Sequence, residues 1–146
     1  MQKQLIKWYQ ENKRDFPWRK DQDPYHIWIS EIMLQQTTTE TVIPYYNRFL
    51  KNFPNVEALA SASLEEVYKM WEGLGYYRRA KHIHESAQII LEKYQGVFPY
   101  EYDAILSLKG IGEYTAGAIS SIAYGKQVPA VDGNVLRIIS RYYLLK

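Results

Sequence analysis

The sequence predicts an all-α fold, and three observations carry the prediction. Apolar residues recur at the spacing of helical faces along almost the whole chain, and no stretch of useful length alternates as a strand would. Start and stop signals cut that pattern into segments of helix length: Asp23-Pro24 and the pair Ser63 and Glu66 open helices, whereas Phe53-Pro54 and Gly96 close them. Late in the chain an apolar helical stretch passes through Leu108-Lys109-Gly110-Ile111-Gly112 into a helix rich in small residues, which makes a helix–hairpin–helix unit.

A first helix is expected over 2–13, with Leu5, Ile6, Trp8 and Tyr9 spaced for one apolar face, and Asp15-Phe16-Pro17-Trp18 ends it. After a polar loop, Asp23-Pro24 starts a helix over 25–37. Its nearly continuous apolar residues Ile27, Ile29, Ile32, Met33 and Leu34 require burial on most sides. The next helix, 39–51, points Val42, Ile43, Tyr46 and Phe49 inward, with Pro44 in its first turn or at a kink. Two short helices follow, 56–60 and 64–71, the second opened by a Ser63/Glu66 capping box. Gly73-Leu74-Gly75 is a turn, and the longest helix, 77–94, gathers Ala80, Ile83, Ala87, Ile90 and Leu91 on one face. The hairpin unit spans about 102–124. Its two glycines allow positive φ and a close approach, and Ala116, Gly117, Ala118, Ser120 and Ala123 allow tight helix packing. A last helix is expected over 134–146, after Val131-Asp132-Gly133. The chain reads as one domain over 1–146, without internal repeat or low-complexity linker.

Composition narrows the function. With 47% hydrophobic and 23% charged residues, 146 residues suffice for a soluble domain with a real core. No apolar run approaches the roughly 18 residues that cross a bilayer, and no signal peptide is visible. No membrane partner is therefore expected, and a cytoplasmic location is the default, with the nucleoid as its site in a bacterium. The sequence has no cysteine, so it offers no disulfide and no thiolate for a metal or an iron–sulfur cluster. His82 and His84 stand two apart and diverge on a helix, so no metal site is expected. A net charge of +2 does not announce nucleic-acid binding. The placement of Arg78, Arg79 and Lys81 beside Tyr76 and Tyr77 does, because basic groups interleaved with aromatics suit phosphate contact and base stacking.

Two carboxylates and one helix start are candidate chemistry. Glu31 stands in the most apolar helix, where loss of hydration favours the protonated form and makes a general acid. A glutamate on the helix surface, or one paired with a buried arginine, is the structural alternative. Asp132 precedes a helix and could cap it. The helix after Gly112 presents unpaired N–H groups and a partial positive charge, a site for a phosphate, although a Gly-x-Gly turn before a helix is often only a turn.

The order of several blocks is specific. Phe16-Pro17-Trp18-Arg19, Pro24-Tyr25, Trp28-Ile29-Ser30-Glu31-Ile32-Met33-Leu34-Gln35-Gln36-Thr37, Trp71-Glu72-Gly73-Leu74-Gly75-Tyr76-Tyr77, the hairpin and Val131-Asp132-Gly133-Asn134-Val135 together resemble the adenine DNA glycosylases of the MutY type, within the endonuclease III superfamily. The resemblance covers nearly the whole chain. It implies the six-helix barrel of helix–hairpin–helix DNA glycosylases, double-stranded DNA as partner, and adenine mispaired with 8-oxoguanine or guanine as target. It further implies that Glu31 protonates adenine and that Asp132 stabilises the sugar cation. Tyr114 stands where bifunctional relatives carry a nucleophilic lysine, so a monofunctional enzyme is implied. Arg14, Trp18, Arg19, Leu34 and Asn134 correspond to the adenine pocket and its support. Gln36 and Tyr76 correspond to residues that wedge into the base stack. Lys109, Gly110 and Gly112 correspond to the hairpin that holds DNA backbone. A thymine mismatch glycosylase and a non-enzymatic DNA-binding module are the alternatives.

Such enzymes continue past a segment of this length, with four cysteines for a 4Fe-4S cluster and a domain that reads 8-oxoguanine. Neither feature is in this sequence. A truncated piece with an incomplete second lobe is therefore expected, with weak or no activity. Self-association is expected through the apolar faces of its first and last helices.

Overall fold

The computed structural model describes residues 2–144, and among these every regular element is helical. The chain runs α1 (Gln2–Asn12), a 3-10 turn (Pro17–Arg19), α2 (Pro24–Met33), α3 (Thr39–Asn52), α4 (Val56–Ser61), α5 (Leu64–Trp71), α6 (Arg78–Tyr94), α7 (Tyr102–Leu106), α8 (Glu113–Tyr124) and α9 (Gly133–Tyr143). No helix among the described residues is long and apolar enough to cross a membrane.

The chain is organised around α2. Its start follows from sequence: the Asp23 carboxylate accepts the N–H of Tyr25 at 2.8 Å, and Pro24 needs no N–H partner in the first turn. Tyr25 and every residue from Ile27 to Met33 are buried, as the apolar run requires. The helix packs against α3, α6 and α8 and against the 3-10 turn. It ends at Met33 rather than at the expected 37. Gln36 turns left-handed, with φ 57°, and Arg79 of α6 bonds the carbonyl oxygens of Ile32 and Met33.

α3 includes Pro44 in its second turn and still continues to Asn52, with Val42, Tyr46 and Phe49 buried. The capping box of α5 is complete: the Ser63 N–H donates to the Glu66 carboxylate at 2.7 Å, and the Glu66 N–H donates back to the Ser63 Oγ at 3.2 Å. α6 packs on α4 and α5 and ends through left-handed Gln95 and Gly96. In the hairpin, only Gly110 uses its conformational freedom, at φ 77°, where a Cβ would meet the His82 ring. Gly112 is extended, with φ −98°, and needs no glycine for its backbone. The expectation of two positive-φ glycines is corrected to one.

Gly117 matters for a different reason. A Cβ there would run into the carbonyl of Pro129, so the backbone at Pro129 and Ala130 lies directly on α8. Gly117→Ala is expected to cost roughly 1–3 kcal/mol by overpacking, although alanine favours helix. Equilibrium urea unfolding checks this, and an unchanged midpoint would contradict it.

α1 and α9 bury no residue. Leu5, Ile6, Trp8 and Tyr9 are each more than half exposed, as are Leu136, Ile138, Tyr142, Tyr143 and Leu144. The apolar faces expected on these helices exist but are not covered within residues 2–144. The expected continuation of the last helix through 145–146 lies outside the described residues.

Candidate active site and DNA interface

The end of α2, the 3-10 turn, the start of α8 and the start of α9 enclose a cleft of about 670 Å³. Glu31 lies at its floor, 4% exposed. Three helical turns of apolar sequence bury it, and the Arg19 guanidinium donates to its Oε1 at 2.9 Å. The partly exposed arginine engages one carboxyl oxygen of a residue that lines the cleft. The structural alternative, pairing with an arginine, is thus present together with the placement in a cleft. Trp18 is buried beside Glu31 and stacks on Phe16, with centroids 5.0 Å apart and planes 9° apart. The Arg14 guanidinium covers the other Phe16 face at 4.8 Å. Leu34 completes the wall.

Asp132 faces the same cleft from the N-terminus of α9. Its Oδ1 accepts the N–H of Val135 at 2.8 Å, and its Oδ2 accepts from the Asn134 amide at 3.0 Å. The Val135 N–H above all, helped by the Asn134 side chain, holds the Asp132 carboxyl below its usual range. Arg137 donates to the Asn134 Oδ1 at 2.8 Å and so orients that amide. Asp132 is therefore both a helix cap and an ionised group on the cleft. Tyr114 enters from the first turn of α8. Burial, and next the charges of Glu31 and Asp132, push its phenol up to about 12. It stays a neutral hydroxyl between two carboxyls.

A second hollow adjoins the first, lined by Gln35, Gln36, Tyr76, Arg78, Arg79 and His82. Gln36 and Tyr76 are both exposed and both left-handed, with φ 57° and 50°. Non-glycine residues adopt this conformation only where neighbours hold them. Arg79 does not contact solvent as a phosphate ligand would: it is 8% exposed, and its two terminal nitrogens donate to backbone carbonyls. The expected basic cluster is corrected to Arg78 and Lys81, which are exposed.

The hairpin lies apart from the cleft. The Ser86 hydroxyl donates to the Lys109 carbonyl at 3.2 Å, and the Lys109 ammonium pairs with Glu85 at 3.1 Å. These bonds dock the hairpin on α6. Gly112 gives α8 no side-chain cap, so the first N–H groups of that helix remain open to an anion.

Both the sequence and the fold have counterparts among known proteins. Residues 29–146 match the family described as HhH-GPD superfamily base excision DNA repair protein. The chain belongs to the HhH-GPD superfamily. It is 50% identical over 140 residues to the adenine DNA glycosylase of Buchnera aphidicola subsp. Acyrthosiphon pisum, a match covering 95% of this chain and 40% of that protein. It is 45% identical over 146 residues to the adenine DNA glycosylase of Homo sapiens, covering 94% of this chain and 27% of that one. The HhH-GPD chain thus spans less than half the length of these relatives. Among solved structures, a thermostable thymine-DNA glycosylase matches with TM-score 0.90 and 35% identity, over 95% of this chain and 64% of that one. An endonuclease III–DNA complex matches with TM-score 0.82 at 24% identity, over 100% of this chain and 71% of that one, which shows the common fold.

The HhH-GPD cleft also contains residues that sequence reasoning missed. Trp8, Tyr9 and Lys13 of the α1 region line it, although Trp8 and Tyr9 read as an apolar face. Their unbroken aromatic pair near the first pocket arginine was the available signal. Arg137 was missed because its role exists only through Asn134. The iron–sulfur cluster implied by the resemblance does not fit the residues present. The sequence has no cysteine, and no group of three or more His, Asp or Glu able to hold a metal occurs among the described residues.

Proposed function

We propose that this chain is the catalytic region of a monofunctional glycosylase that releases adenine from pairs with 8-oxoguanine or guanine in double-stranded DNA. One observation carries the reading: a buried carboxyl, Glu31, and an ionised one, Asp132, face a single cleft with a neutral phenol beside them. A nucleobase inside a duplex is out of reach, so the target nucleotide must leave the stack to enter that cleft. Adenine leaves poorly as an anion. A proton from the Glu31 carboxyl, passed to N7, lets it leave as a neutral base when the glycosidic bond breaks. The sugar then gains positive charge, which the Asp132 carboxylate stabilises. Water adds to the anomeric carbon and its proton passes to the carboxylate that Glu31 has become, so the products are free adenine and an abasic sugar and the acid is restored. A carboxyl that donates a proton beside one that stays ionised is the general logic of glycosyl hydrolysis.

Tyr114 supplies no amine, so no Schiff base with the sugar forms at its position. Borohydride is therefore expected to trap no covalent complex between this chain and a duplex with an abasic site. A trapped band on a denaturing gel would contradict the monofunctional reading. Gln36 and Tyr76 suit the space left by the extruded nucleotide, because an amide bonds base edges and a ring replaces a stacking partner. The hairpin and the open start of α8 suit DNA backbone.

The 35% identity to a thymine-DNA glycosylase favours thymine from a mismatch as the second reading. Single-turnover assays with A opposite 8-oxoguanine, A opposite G and T opposite G separate them. Adenine release supports the first reading and thymine release the second. Salt-sensitive duplex binding without release of either base would reduce the chain to a DNA-binding module.

A further inference from the structure

The least expected side chain in the molecule is Arg79. It is the second residue of α6, where a cation opposes the helix dipole. It is nearly buried, and no carboxylate lies within ion-pair distance of it among the described residues. Burial alone drives its proton affinity down. A charge kept at such a disadvantage has a use elsewhere, and its bonds show where. One nitrogen, Nη1, donates to the carbonyls of Ile32 and Met33 at 2.9 Å each, at the negative end of α2, and to the carbonyl of Gln35. The other terminal nitrogen, Nη2, donates to the carbonyl of Gly75 at 3.2 Å. The carbonyl of Gln35 belongs to the peptide group that enters Gln36. The carbonyl of Gly75 belongs to the one that enters Tyr76. The guanidinium thus fixes the peptide planes from which both left-handed residues emerge, and it lies 5.4 Å from the Tyr76 ring centroid.

We infer that Arg79 is a positioning residue that ties the Gln36 turn and the Tyr76 turn into one rigid unit, so that both side chains reach the base stack together. This rests on the proposed wedge role of Gln36 and Tyr76. The two turns line one hollow and are 40 residues apart in sequence, so nothing in their local backbone couples them. Only a planar fork with several fixed donors can serve carbonyls from both. A lysine ammonium at this position has one nitrogen and cannot span them.

The absence of cysteine makes the test clean. Nitroxide labels on Gln36→Cys and Tyr76→Cys are expected to give one narrow distance distribution with Arg79 present. The distribution broadens when Arg79→Lys is added to a chain that still melts cooperatively. A broad distribution with Arg79 intact overturns the inference, and this arm needs no Arg79 variant to fold. An unchanged narrow distribution in Arg79→Lys overturns it as well. In a second arm, 2-aminopurine beside an A–8-oxoguanine pair reports local unstacking on binding. Tyr76→Ala and Arg79→Lys are each expected to reduce the signal roughly tenfold, and the double variant no further than Tyr76→Ala, because coupled residues are not additive. Tyr76→Ala without effect removes the wedge reading and this inference with it. An effective Tyr76→Ala beside an inert Arg79→Lys, or additive losses in the double variant, overturns the inference alone.

Discussion

Glu31→Gln is expected to reduce adenine release roughly 100- to 10,000-fold, the range that a positioned general acid contributes, while leaving duplex affinity within about threefold of the parent. The substitution keeps shape and volume. The glutamine amide oxygen still accepts from Arg19, now 2.9 Å from Oε1, so the guanidinium keeps a partner and the fold is preserved. Stability is expected to change by no more than about 1 kcal/mol. What disappears is the acidic group that a carboxyl presents in the cleft. Glu31→Asp is the sharper companion. It retains a carboxyl but retracts it by one methylene, which breaks the Arg19 bond and misplaces the proton. A displacement of about 1 Å costs on the order of 100-fold when geometry sets the rate. Single-turnover release from the A–8-oxoguanine duplex measures both. Release by Glu31→Gln within a factor of about three of the parent would mean that the proton comes from elsewhere.

The parts of this arrangement that were legible in sequence are those fixed by local chemistry or by a contiguous block. The bounds of α5 follow from its capping box, and the sequence reading places them, like the outer limits of the hairpin unit, where the structure does. The burial of α2 follows from its apolar run. The convergence of Glu31, Tyr114 and Asp132 on one cleft is a tertiary fact, and it was anticipated only through the resemblance. Arg79 shows the limit. Beside two tyrosines and a second arginine it reads as a phosphate contact, because the carbonyls that neutralise its role lie more than 40 residues earlier. The end of α2 was misplaced for the same reason, since the side chain that takes its last carbonyls comes from α6. The pair Trp8 and Tyr9 reads as part of an apolar face by periodicity, which records a face but not that it lines a cleft.

Asp132 offers a prediction in which structure and chemistry separate. Asparagine caps helices as well as aspartate does, and its side-chain oxygen can accept the Val135 N–H that Oδ1 now accepts at 2.8 Å. Asp132→Asn is therefore expected to leave stability near neutrality within about 0.5 kcal/mol of the parent but to slow adenine release on the order of 100-fold or more, because the developing cation loses its counter-charge. Asp132→Ala loses the cap too, and is expected to cost about 1 kcal/mol in addition. The two variants thus have similar rates and different unfolding midpoints. The acid limb distinguishes the charge from the cap. The folded-state proton affinity of Asp132 is depressed, so its ionised form contributes stability above the ordinary carboxyl range. That contribution is lost as pH falls through the depressed value, below about pH 4. The small advantage of the parent over Asp132→Asn should accordingly shrink there, while the deficit of Asp132→Ala persists wherever α9 keeps an uncapped N–H. Parallel urea unfolding near neutrality and at low pH measures both. If asparagine destabilised the chain as much as alanine, the capping geometry would depend on charge, and the slower release could no longer be assigned to the transition state.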